Sequence, residues 1–112
     1  MSFYNNSDEK GDRAERKVSK VLEKLEREGV IESFGWTTPF SGDNLFGIDF
    51  LIYPIKGKEI PLQVKSSYRK ELEEKYTQKG IFCIIVKPYQ RLEEIRENVL
   101  EILEKAEKRR KQ

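Results

Sequence analysis

Residues 47–67 read GIDFLIYPIKGKEIPLQVKSS, two apolar runs joined by the turn Lys56-Gly57-Lys58. Side chains on a strand alternate between its two faces. Within these runs every even position is apolar: Ile48, Phe50, Ile52, then Ile60, Leu62, Val64. The odd positions are Asp49, Leu51, Tyr53, then Glu59, Pro61, Gln63 and Lys65, a mixed set that holds every polar group. A slip of one residue would turn the whole apolar set toward the polar face, so the register must pair odd with odd. The predicted strands are 48–54 and 59–66. A hairpin with one apolar face needs other elements to cover it.

The rest of the chain supplies that cover. Ala14, Val18, Val21, Leu22 and Leu25 recur at helical spacing, and Gly29 is a natural stop, which predicts a helix over about 8–28. Asn6 with Glu9 has the spacing of a capping box. VIESFGWT, 30–37, is a predicted strand, and TPFSGDNLFG is a turn-rich connection to the hairpin. Tyr68, Leu72 and Tyr76 predict a short exposed helix that Gly80 ends. IFCIIV, 81–86, is a continuously apolar strand, which implies cover on both faces. Leu92, Ile95, Val99, Ile102 and Ala106 mark a last amphipathic helix. The predicted order is α-β-β-β-α-β-α, whose natural arrangement is a central mixed sheet with helices on both sides: an α/β, three-layer α/β/α fold.

Composition narrows the function classes. The 112 residues suit one domain, and 38% of them are charged, with a net charge of only +2. So balanced a chain does not announce a nucleic-acid partner by its bulk field. Histidine is absent and Cys83 is the one cysteine, which excludes histidine-dependent triads, an internal disulfide and a zinc set. Cys83, inside an apolar run, reads as a buried small hydrophobe. No apolar run approaches the roughly 18 residues of a membrane span, and MSFYNNSDEK lacks a signal-peptide core. A cytoplasmic protein with no membrane partner is expected. The basic tail KAEKRRKQ reads as a solvated helix end at the negative pole, or as a phosphate contact.

The odd face of the hairpin is where chemistry would sit. In the required register Asp49 lies opposite Gln63 or Lys65, with opposed Cβ atoms ~4.5–5.5 Å apart. The polar groups gather at the end of the ladder away from the turn, while Leu51, Tyr53 and Pro61 are not residues of a washed surface. A site and a solvated face both account for this pattern. A carboxylate and an amide oxygen side by side suit a hard cation such as Mg²⁺ or Mn²⁺. A neighbouring ammonium can hold an anionic oxygen or help deprotonate a water, and together these groups describe phosphodiester hydrolysis.

Asp49, thirteen intervening residues, then Gln63-Val64-Lys65 across a hairpin resembles the motif of the PD-(D/E)XK nuclease superfamily. The resemblance covers roughly residues 8–88 and implies a restriction-endonuclease-like core with a four-stranded mixed sheet. By position, Asp49 resembles the family's metal-binding aspartate, Gln63 stands at its second acidic residue, and Lys65 resembles its catalytic lysine. The family often adds a glutamate from the first helix. Here Glu15 lies roughly 20° from Leu22 on a helical wheel, at the edge of the apolar stripe. Asp43 is a possible accessory ligand or an Asx-turn residue beside Gly42. Gln63 departs from the commoner pattern, since an amide oxygen can ligate a metal but brings no charge.

The resemblance implies a Mg²⁺- or Mn²⁺-dependent endonuclease acting on DNA. A chain this short would need a homodimer or another partner to read a branched or otherwise structured substrate. The alternative is a catalytically inactive module on the same fold that binds nucleic acid or protein. A third reading is a charged structural protein whose polar face is only solvated.

Overall fold

The computed structural model describes residues 6–37, 48–67 and 70–110, and the side chains of 6–12, 70, 72, 73, 77 and 110 lie outside that description. The Asn6–Glu9 cap, Asp43, Tyr68, the Leu72 side chain and the end of the basic tail therefore lie outside the described residues. Seven elements follow in the expected order: α1 Asn6–Arg27, β1 Ile31–Trp36, β2 Phe50–Pro54, β3 Ile60–Lys65, α2 Lys70–Gln78, β4 Phe82–Ile85 and α3 Leu92–Arg110. The fold is mixed α/β.

Helix α1 forms because its apolar residues share one stripe. Ala14, Val18, Val21, Leu22 and Leu25 are all buried, while Arg16, Lys20, Glu23, Lys24 and Arg27 face solvent. Its end is a Schellman cap. Gly29 has φ 77°, its N–H donates to Glu26 O at 3.1 Å, and Val30 N–H donates to Leu25 O at 2.9 Å. Only a residue that tolerates positive φ closes this pair of bonds without strain. Gly80, at φ 81°, ends α2 the same way, with Ile81 N–H donating to Tyr76 O at 2.8 Å.

The strands form one mixed sheet in the order β1-β2-β3-β4. The first two pairings are antiparallel and β3-β4 is parallel, so α2 serves as a crossover. The hairpin pairs Phe50 with Leu62, Leu51 with Pro61 and Ile52 with Ile60. This is the register that keeps the apolar set together. Phe50, Ile52, Ile60, Leu62 and Val64 are buried, in one cluster with Val18, Leu22 and Leu25 of α1 and Ile95, Val99 and Ile102 of α3. Helices α1 and α3 pack on each other over this face, and α2 leans on β4.

Strand β4 departs from expectation. Ile81, Ile84 and Val86 are buried, but Phe82, Cys83 and Ile85 are only half-buried. The strand is the edge of the sheet and pairs on one side alone, so a continuous apolar run there lacks full cover. No described helix is long and apolar enough to cross a membrane.

Candidate functional site

The topology brings four strand termini together. The C-terminal ends of β1, β3 and β4 and the N-terminal end of β2 share one end of the sheet. Helix α1 reaches β1 through a short link and packs on β1 and β3, so its N-terminal half lies over that same end. A cavity of about 990 Å³, lined by Ile55, Phe82, Leu100, Leu103 and Ala106 among others, opens at the opposite end, beside the hairpin turn.

Asp49 stands where the ladder becomes irregular. Its N–H donates to Leu62 O at 2.9 Å, although Leu62 is the register partner of Phe50. Its Oδ2 accepts the Val64 N–H at 2.8 Å, so a side chain completes the strand pairing where a carbonyl ordinarily would. Thr37 braces the same segment: its N–H donates to Asp49 O at 3.1 Å and its hydroxyl donates to Ile48 O. Asp49 is half-buried.

Glu15 reaches this aspartate. The two carboxyls lie within hydrogen-bonding reach, and Glu15 draws the Asp49 pKa downward. Burial pushes the Asp49 carboxyl above its ordinary range. The Val64 N–H, the bond with Glu15 and the attraction of the Lys65 ammonium pull in the other direction and do not outweigh burial. Lys65 is half-buried, on the last residue of β3.

Gln63 lies one residue before the Val64 N–H that binds Asp49. It is 6% exposed, the one buried polar residue among those described. Its Oε1 has no hydrogen-bond partner. A buried amide oxygen without a donor is expensive, about 1–3 kcal/mol, and such a group calls for an explanation. Its neighbour across the parallel pairing is Cys83.

The structure thus brings Glu15, Asp49 and Lys65 together; Gln63 stands two residues before Lys65 on β3, and its oxygen accepts no hydrogen bond. Among the described residues no three His, Cys, Asp or Glu side chains form a metal-holding group. Two carboxyls and an orphaned amide oxygen are nevertheless the donor chemistry of a hard cation. Three contributors were not legible from residue identities. The Val64 N–H is a main-chain group with no side-chain signature. Thr37 is the last residue of a predicted strand, and nothing in its identity marks it as a brace. Lys17, whose Nζ donates to Pro88 O at 2.6 Å and Gln90 O at 3.3 Å, is one charge in a run of them. Compared with models of protein families, with curated proteins and with solved structures, the chain has no match.

Proposed function

We propose that this protein is a metal-dependent DNA endonuclease on a three-layer, restriction-endonuclease-like core. The observation that carries the reading is the convergence of Glu15 with Asp49 beside Lys65; Gln63, two residues before Lys65 on β3, carries a buried oxygen without a partner. These groups come from one helix and two strands, and convergence of that kind is not what a merely solvated face requires. With α1 and α3 on the apolar face, α2 would cover part of the other, and the burial of Gln63 supports that third layer.

Asp49, Glu15 and Gln63 would hold Mg²⁺ or Mn²⁺. The ion supplies electrophilic charge at a phosphodiester. Binding would offset the crowding of the two carboxyls and give the Gln63 oxygen a partner. Lys65 would hold an anionic oxygen or orient the attacking water. A homodimer would give this small core enough surface to hold a duplex.

The test is thermal unfolding under a metal titration, beside a cleavage assay on linear, flap and four-way-junction DNA. A ligand bound only by the native state stabilises it by about 1.4 kcal/mol at tenfold excess over its dissociation constant. The expected result is a rise in melting temperature with millimolar Mg²⁺ or Mn²⁺, lost in Asp49→Asn, together with cleavage lost in Lys65→Ala. Metal response without cleavage, or neither, would sink the reading. One observation favours a second reading, a non-catalytic binding module: Asp49 Oδ2 already has a structural task in accepting the Val64 N–H.

A further inference from the structure

Two exposed aromatic residues stand at the same end of the sheet as the candidate site. Trp36 ends β1 at one edge of the sheet. One part of its ring packs on Phe50, with centroids 4.4 Å apart, yet the residue is 49% exposed. Tyr89 follows β4 at the other edge and is 81% exposed, the most exposed large apolar residue among those described. Asp49, immediately before β2, and Lys65, the last residue of β3, stand on the two central chain segments between them. Three strand spacings separate the edges, roughly 14 Å.

Exposed aromatics scattered singly need no explanation. Tyr89 differs because its turn is held rigid. The Gln90 N–H donates to Lys87 O at 3.1 Å, and the Lys87 N–H donates to Gln90 Oε1 at 2.7 Å. Lys17 adds its bonds to Pro88 O and Gln90 O from α1, and Pro88 fixes its own φ. Four hydrogen bonds order a turn whose most exposed product is one ring. The Val86 N–H donates to Lys65 O at 2.8 Å, so Tyr89, three residues on, lies within roughly 11 Å of chain from that carbonyl.

We propose that Trp36 and Tyr89 stack unpaired bases, so that the ligand is a nucleic acid with single-stranded nucleotides crossing the sheet end between them. Base–aromatic stacking tolerates any sequence because every base has a π face. Lys87 and the exposed Arg91 flank Tyr89 as phosphate partners. Glu93 and Glu94 follow at once in the first turn of α3, so the field there is mixed and the ring carries the contact. The inference rests on the nucleic-acid reading of the site but does not need it to be catalytic.

Trp36 is the sole tryptophan of the chain, so its emission reports its own face. The test uses metal-free protein in a chelator with an oligothymidylate of about 12 nucleotides, the matching oligouridylate and a blunt duplex of equal length. Expected are saturable quenching of Trp36 by the single strands and tighter binding than to duplex. Tyr89→Ala should weaken single-strand binding about tenfold or more, while Tyr89→Phe keeps it. The DNA and RNA arms show which backbone is preferred. Quenching without cleavage activity in metal would uphold stacking and reject the nuclease. Cleavage of duplex with no quenching, and with Tyr89→Ala equal to wild type, would overturn stacking and leave the nuclease intact. No binding to either strand form would overturn stacking and pass the surface to a protein partner.

Discussion

Asp49 carries two opposed roles. Its Oδ2 satisfies the Val64 N–H, and burial raises its pKa. An acid whose folded pKa is raised adds stability below its unfolded pKa, about 3.9, and loses it as pH rises through the folded value. At neutral pH its ionisation therefore opposes folding. Asp49→Asn keeps an oxygen for Val64, offers Glu15 an N–H, and removes the charge. It should raise the urea midpoint of metal-free protein at pH 7, with the gain shrinking toward pH 4. Asp49→Ala removes the acceptor as well, which costs about 1–3 kcal/mol for the stranded Val64 N–H; the two variants should move the midpoint in opposite directions. Gln63→Met replaces a buried oxygen that has no partner with a similar apolar shape. It should stabilise metal-free protein by about 1 kcal/mol and reduce any metal response. Equal midpoints for wild type and Gln63→Met would mean the oxygen is satisfied in solution.

At the scale of elements, the helix caps are the places where one residue decides a boundary. A Cβ built on Gly29 meets nothing within 4 Å, so the cost of Gly29→Ala is its positive φ alone. That substitution should lower stability by about 1 kcal/mol, and Gly29→Asn, whose side chain tolerates this region, should recover part of the loss. Equal midpoints for all three would show that α1 does not need the cap. The same glycines made the elements legible in advance: Gly29 and Gly80 stop two helices where the apolar spacing ends. The hairpin register was legible because its even set has no polar interruption. What could not be read was cover. IFCIIV implied cover on both faces, yet Phe82, Cys83 and Ile85 are only half-buried and β4 lies at the edge, because strand order is fixed by pairing partners far away in the chain. The site divided along the same line. Side chains set on one ladder announced themselves by alternation, whereas the Val64 N–H is a main-chain group that no residue identity encodes, and the Thr37 hydroxyl finds Ile48 O only through the path of the folded chain.

Across the whole molecule, one core ties the site to the fold. Glu15 can meet Asp49 only when α1 is docked, and α1 docks through Val18, Leu22 and Leu25, each 0% exposed. The same cluster includes β2, β3 and α3, so seating the helix and forming the sheet should be a single cooperative event. Leu22 lies seven residues from Glu15, roughly 10 Å along the helix, far enough for independent effects to add. Leu22→Ala should therefore cost about 2–5 kcal/mol of stability. The increment given by millimolar Mn²⁺ should stay the same in wild type and variant, since the folded fraction still presents the full set of oxygens. Paired urea titrations with and without the metal measure both quantities. An increment that shrinks along with stability would mean that the Leu22 contact sets where Glu15 sits, and that α1 can shift on the sheet without unfolding.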